Sequence, residues 1–364
     1  MIRLLAACMP GEIRIAVADG ERLLDYALWR PGAPDGVGDL HRGRVQSVLP
    51  ALGGAFVALA DSIGFLPSRE GVARVGDGDR ILVRVVRSAQ GGKGPRLARV
   101  DGDPGDGPVA LLQPGPDPLT RLAAFHADAP ILADDPGLAA TLPPSLRARV
   151  TRETTVWSPS IAQQVDDLAQ TEIALPGGMR ASFHPTPALV AIDLDGGSSS
   201  AGRAAKPVAQ LAANRAAIGP LLHQMRLRNL SGAILIDPAG LPAKKRAALT
   251  VEIEAALAND PLRPRLLGFT RLGLAEIVRA RIHPPLHELL AGPHAAGLAA
   301  LAEAARLVAA APHRLPDLSA GLGVAAALER DGFAREALAR RAGRPISIRI
   351  DPSLPPNGWK LDHA

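Results

Sequence analysis

Ala188-Leu-Val-Ala-Ile-Asp-Leu-Asp195 and Gly232-Ala-Ile-Leu-Ile-Asp237 are two short apolar runs that each close on an acid. Such a run reads as a buried strand whose last residue emerges at the sheet edge, where α/β sheets bind ligands. Between Asp193 and Asp237, 44 residues apart, lies one long helical pattern at 208–227, with apolar positions at Leu211, Ile218, Leu222 and Met225. That arrangement fits a right-handed β-α-β crossover joining two neighbouring parallel strands. Residues i and i+2 of a strand share a face, so Asp193 and Asp195 point the same way. Clustered carboxylates repel unless a cation sits among them, so Asp193, Asp195 and Asp237 read as a Mg²⁺ or Mn²⁺ site. The plainer alternative is that each acid caps the turn that follows it.

The 364 residues are enough for two or three domains. Lys plus Arg number 41 against 36 Asp plus Glu, a net charge of +5. That sign suits a polyanion such as nucleic acid, although an Arg- and Ala-rich genome produces the same bias. The single cysteine, Cys8, excludes an internal disulfide framework and a cysteine zinc site within one chain. The apolar stretch before Pro10 is too short for a signal peptide, and Glu12 and Arg14 follow it. No later run approaches the ~20 residues of a membrane span, so a soluble cytoplasmic protein is expected.

Residues 12–17 and 22–29 flank Asp19-Gly20 and read as a hairpin. Residues 31–38 are a linker by composition. Short strands are expected at 40–49, 54–59, 63–66, 80–87 and 96–100, punctuated by Gly, Pro and Asp. This spacing predicts a small OB-type barrel, a common binder of single-stranded nucleic acid. Phe56 and Phe65 are two of only six phenylalanines in the chain and fall on this barrel. They are either base-stacking platforms or core residues, and periodicity does not choose between them. A second linker is expected at 101–118, then a strand at 130–133 and helices at 135–142 and 159–175, with Ser160 as a possible cap. Further on come a strand near 180–184, a loop at 196–204, helices at 242–258 and 289–311, and a strand at 345–350.

Several of these stretches together resemble the ribonuclease E/ribonuclease G family. Gly38-Asp-Leu-His-Arg-Gly-Arg-Val45, Gly54-Ala-Phe-Val57 and Ile63-Gly-Phe-Leu-Pro67 are similar to its S1 domain, and Gln90-Gly-Gly-Lys-Gly94 to the loop closing that domain. Leu189 to Asp195 resembles the strand of the first catalytic aspartate. Met225-Arg-Leu-Arg-Asn-Leu-Ser-Gly-Ala-Ile-Leu-Ile-Asp237 resembles the arginine-rich helix end and second aspartate. Gly268-Phe-Thr-Arg-Leu-Gly-Leu-Ala-Glu-Ile277 and Gly343-Arg-Pro-Ile-Ser-Ile-Arg-Ile350 carry the likeness further. The resemblance implies an α+β multidomain chain. An S1 barrel (36–104) would be inserted in an RNase H-like subdomain (1–35 and 105–185). A DNase I-like α/β catalytic subdomain (186–290) and a small C-terminal α/β module (291–364) would follow. It implies a Mg²⁺-dependent endoribonuclease acting on single-stranded RNA in RNA processing or decay, including rRNA maturation. Asp193 and Asp237 would be catalytic metal ligands, with Asp195 as a third. Phe56 and Phe65 would stack bases, Lys93 and Arg87 would hold phosphates, and Asn214, Arg226 and Arg228 would face the RNA or the site.

Three departures from the family pattern qualify this expectation. Asp195 stands where the family carries an amide, and Gly240 replaces a further acid in Asp237-Pro-Ala-Gly240. The segment forming the 5′-monophosphate sensor has no counterpart, so no preference for that end is expected. His283-Pro-Pro-Leu-His-Glu-Leu-Leu-Ala-Gly-Pro-His294 takes the place of the Cys-Pro-x-Cys zinc link. No zinc is expected, and any homodimer would use another contact. The rival expectation is an RNA-binding protein of the same fold with weak or no cleavage.

Overall fold

The computed structural model describes residues 1–70, 75–196, 206–311 and 316–362. The loop expected at 196–204 lies, beyond Gly196, outside the described residues. The protein is mixed α/β with a closed five-stranded barrel and three further sheets.

The chain opens with an antiparallel meander of β1 (Ile2–Met9), β2 (Glu12–Asp19) and β3 (Arg22–Trp29). The hairpin was legible, but β1 was not. Its apolar residues alternate between two buried faces: Leu4 and Ala6 enter one core while Leu5 enters another. A strand buried on both sides shows no polar alternation and resembles any apolar run.

The barrel follows: β4 (Leu40–Leu49), β5 (Gly54–Ala58), β6 (Ile63–Pro67), β7 (Arg80–Arg87) and β8 (Arg96–Val100), closed by β5 on β4. Val45, Ala55, Val57, Leu66, Ile81, Val83, Val85 and Leu97 fill its interior. The expected linker at 101–118 contains a further strand, β9 (Ala110–Gln113), on the outer edge of β4.

The chain then returns to the first sheet through α1 (Pro118–Phe125), β10 (Ile131–Ala133), α2 (Leu138–Thr141), α3 (Pro144–Arg147) and β11 (Val150–Arg152). The strand order is β11-β10-β1-β2-β3, with β10 parallel to β1. The helix expected at 159–175 is shorter: α4 (Pro159–Asp167) is capped by Ser158, not Ser160, whose hydroxyl accepts from the Ile161 amide. Residues after it turn into β12 (Glu172–Leu175).

The second sheet has the order β12-β13-β14-β15-β17-β16. It contains β13 (Met179–Pro185), β14 (Leu189–Gly196), α5 (Lys206–Leu227) and β15 (Gly232–Asp237). The chain continues through α6 (Ala243–Arg246), α7 (Thr250–Leu257), β16 (Arg265–Phe269) and β17 (Ala275–Arg279). The predicted crossover is present: β14 and β15 are parallel neighbours joined through α5. The helix expected at 242–258 is broken between α6 and α7 by a 3₁₀ turn at Ala247–Leu249. Residues of alternating parity on β13, β14, β15 and β17 pack with α5 and α7 into the largest core. The other face of this sheet carries the odd-numbered residues of β14 and β15, from Ala191 to Asp195 and from Ala233 to Asp237, which are exposed or half-buried.

The remaining elements are α8 (Leu286–Leu289), α9 (Gly292–Ala310), β18 (Asp317–Ala320), α10 (Leu322–Arg330), α11 (Gly332–Ala342), β19 (Ile348–Ile350) and β20 (Trp359–Asp362). From α9 onward they enclose a separate core around Leu301, Leu318, Leu328 and Leu338, while Leu286 of α8 joins a core of the first sheet. Among the described residues, no helix is long and apolar enough to cross a membrane.

Candidate active site and nucleic-acid interface

Asp193 and Asp237 are Cα partners across the parallel β14–β15 pair. Adjacent strands lie about 4.8 Å apart, so both carboxylates leave the open face side by side. The Asp193 carboxylate has no hydrogen-bond or ion-pair partner among the described residues. Asp237 is 47% exposed and receives Nη1 of Arg246 on Oδ1 at 2.5 Å. Arg246 is itself fixed, with Nε donating to the Leu241 carbonyl at 2.7 Å and Nη1 to that of Gly273 at 3.3 Å. No pattern in the sequence marks this cation, which hides in the Lys244-Lys245-Arg246 run and reads there as a solvated helix face.

Asp195 does not complete a triad. It is two residues further along β14, about 7 Å at ~3.4 Å per residue, and faces Arg180 of β13 in register. Among the described residues no three His, Cys, Asp or Glu side chains converge on a point able to hold a metal ion. The expectation of three carboxylates around one ion is therefore corrected to a pair. Two carboxylates with room for water still form a donor set suited to Mg²⁺, which keeps several waters and takes one or two carboxylates. The chemistry of Asp193 and Asp237 thus fits that ion.

Asn214 was expected to face the RNA or the site, and it is 0% exposed. Its Oδ1 accepts from the Ala239 amide and its Nδ2 donates to the Ala239 carbonyl, both at 3.0 Å. A third bond runs to the Gln210 carbonyl at 2.7 Å. With its amide satisfied inside, Asn214 tethers the exit of β15 to α5 and fixes where Asp237 stands. Gly240 explains its own departure: its φ is +60°, and a Cβ there would lie 2.2 Å from Gln210 Nε2. A side chain at 240 would be strained by this backbone conformation and would require the flexible end of Gln210 to move aside.

Arg228, also expected to face the RNA or the site, is 6% exposed. Its guanidinium lies 4.3 Å over the Phe183 ring and donates to the Asp167 carbonyl at 2.8 Å and the Gln170 carbonyl at 2.5 Å. Burial pulls it down to about 10, still charged at neutral pH. Arg226 donates to the carbonyls of Leu24 and Asn259, tying α5 to β3 and to the end of α7. It also lines a cavity of about 1070 Å³ between β12, α5 and α7. None of the three acids borders that hollow.

On the barrel, Phe56 lies between interior Ala55 and Val57, and Phe65 beside interior Leu66, so alternation turns both rings outward. They are Cα partners with centroids 5.6 Å apart and planes at 65°. The core alternative left open by the sequence is thereby removed. Lys93 is exposed at the tip of a tight turn closed by reciprocal Gln90–Lys93 backbone bonds of 3.0 and 3.1 Å. Arg87 ends β7 half-buried.

The histidines at 283 and 294 go to separate carboxylates. His283 Nδ1 meets Asp35 Oδ2 at 2.6 Å, and His294 Nε2 meets Asp331 Oδ2 at 2.8 Å.

Comparison with known proteins bears on both surfaces. A model of the ribonuclease E/G family matches residues 139–282, a span that holds both acids, Asn214 and Arg246 but not the barrel. Ribonuclease E of Escherichia coli (strain K12) is 23% identical over 78% of this chain and 37% of its own length. Ribonuclease E of Haemophilus influenzae is 23% identical over 78% of this chain and 42% of its own. That of Nostoc sp. is 29% identical over 42% of this chain and 22% of its own. The chain thus spans well under half the length of these relatives.

Proposed function

Because the chain belongs to the ribonuclease E/G family, we propose that it is an endoribonuclease that cuts single-stranded RNA by metal-assisted phosphodiester hydrolysis. The observation carrying this reading is the register pairing of Asp193 with Asp237 on an uncovered sheet face. Under it, the barrel is an S1 domain, the first sheet an RNase H-like subdomain, and the second sheet a DNase I-like catalytic subdomain. The boundaries are those read from the sequence, and the setting is RNA processing or decay in the cytoplasm.

Phe56 and Phe65 would grip the strand by stacking, worth about 1–3 kcal/mol per base and tolerant of sequence. Lys93 would hold a phosphate beside them. Asp193 and Asp237 would hold Mg²⁺ or Mn²⁺, which supplies charge stabilisation at the phosphorus oxygens and a more acidic bound water. Arg246 would orient the Asp237 carboxylate by occupying one oxygen and leaving the other for the site. Asn214 would keep that carboxylate in register by holding the loop behind it.

A labelled single-stranded RNA incubated with Mg²⁺ tests the reading beside the Asp193→Asn, Asp237→Asn double variant. Cutting by the unaltered chain alone supports it, and equal cutting by both defeats it. The pairing of Asp237 with Arg246, together with Gly240 in place of an acid, favours a second reading: an RNA-binding protein without efficient cleavage. Binding without cutting by the unaltered chain would select that one.

A further inference from the structure

Neither the patterns in the sequence nor the family resemblance singles out Arg96 or Arg281, but their setting does. Arg96, at the start of β8, is the Cα partner of Phe65 on one side and of Arg87 on the other. Phe65 in turn partners Phe56. Two rings and two guanidiniums therefore form one row across four strands of the barrel. Arg96 precedes interior Leu97, so alternation places it on the outer surface with the rings.

At Arg87 the row reaches the seam with the second sheet. The next residue, Ser88, donates its amide and its hydroxyl to the Ile282 carbonyl at 2.9 and 3.1 Å, and Gln90 Nε2 adds a third bond at 3.2 Å. Arg281 precedes Ile282 and so approaches Arg87 from the sheet side of this contact. Among the described residues, no carboxylate is paired with Arg87, Arg96 or Arg281. Among the described residues, the one side-chain hydrogen bond found for the three is a long one, 3.5 Å, from Arg281 to the Ala188 carbonyl. Nε of Arg87 is shut off from solvent without any partner. Burial and the two neighbouring cations hold its guanidinium below the ordinary value.

Guanidiniums do not deprotonate in proteins, so such a cluster relieves its repulsion only by taking an anion. We propose that Arg87, Arg96 and Arg281 form a site for one phosphodiester of an RNA strand whose bases stack on Phe56 and Phe65. The planar forks match phosphate oxygens, and the row continues the stacking surface without a gap. One phosphate would then be held by barrel and sheet at once, fixing the path of the strand across the seam. This site rests on the RNA-cleaving reading above and extends it.

Fluorescence anisotropy with a labelled oligouridylate tests it, using the full chain and its Arg96→Gln, Arg281→Gln double variant over roughly 50–200 mM salt. The double variant binds about 10-fold more weakly at low salt. Its plot of log affinity against log salt flattens by about 0.7, the slope carried by one phosphate contact to a single strand. Arg340→Gln, a 64% exposed arginine on α11, changes neither quantity. Unchanged affinity and slope in the double variant overturn the site while leaving the RNA reading standing. Weaker binding with an unchanged slope also overturns it, since the arginines would then merely hold the seam. No binding by the unaltered chain removes the RNA reading and this site together.

Discussion

The two large sheets are built from similar apolar strands but are clothed differently. The first lies between two cores: Leu4, Ile15 and Val17 enter one, while Leu5, Ala16 and Leu23 enter the other. The second packs α5 and α7 against one face and leaves the acids of β14 and β15 on the other. The consequence shows in their carboxylates. Glu12, in the first sheet, is 4% exposed and held by Arg30 at 2.7 Å and Arg14 at 3.0 Å. Asp193, in the second, stands in water without a partner among the described residues. A buried acid must be neutralised by its own protein, whereas an exposed one remains available to a ligand. Coverage, rather than strand sequence, decides which sheet keeps its acids open to solvent.

The strongest way to break this comparison is to exchange the roles. Glu12→Ala strands Arg30 in the interior and lowers unfolding free energy by about 3–5 kcal/mol. Asp193→Asn leaves it within about 0.5 kcal/mol. Chemical denaturation of both variants measures this, and equal losses would show that the second sheet is covered too. On activity the order reverses. Asp193→Asn and Asp237→Asn each cost more than the about 10–100-fold typical of outer-shell partners of a metal. Asp195→Asn, standing off the pair, costs less than either. Single-turnover cleavage at saturating Mg²⁺ ranks the three, and an Asp195 effect as large as the others would restore the triad.

Much of this was legible before any coordinates. Alternation with Gly and Pro punctuation located every barrel strand, and an apolar run closing on an acid located both halves of the pair. What escaped was whatever depends on a distant partner. β1 lacks polar alternation because both its sides are covered. β12 was absorbed into the preceding helix because Glu172 to Leu175 are four residues without a breaker. β18 and β20 meet only through pairing across 39 to 45 residues. The outward direction of Phe56 and Phe65 needed the register of β5 on β6, and the grip of Arg246 on Asp237 needed the turn between them.

Phe56→Ala sharpens the same lesson on the barrel. Its ring is outside, so RNA affinity falls by about 1–3 kcal/mol while the melting temperature holds. A large fall in stability would return the ring to the core. The smallest effect concerns His223, whose Nε2 lies 2.9 Å from the Leu23 carbonyl. Burial holds its imidazole below the ordinary value, so the unfolded chain gains its proton near pH 6.5 before the folded chain does. Stability is therefore full above about pH 6.5 and declines as acid is added through that value, levelling off below the folded value. His223→Gln flattens this part of the stability–pH curve, and an unchanged curve would place the proton elsewhere.

The parallel match of Leu4 with Ile131 across β1 and β10 also has a temporal meaning. During synthesis β1 can pair with β2 at once, but its other edge must wait for a neighbour made some 127 positions later, while the five barrel strands, from Leu40 to Val100, close on one another. Assembly should thus run from the middle outward. Pulse-labelled exchange during refolding would record amide protection on the barrel before β10, and the opposite order would assign the nucleus to the first sheet.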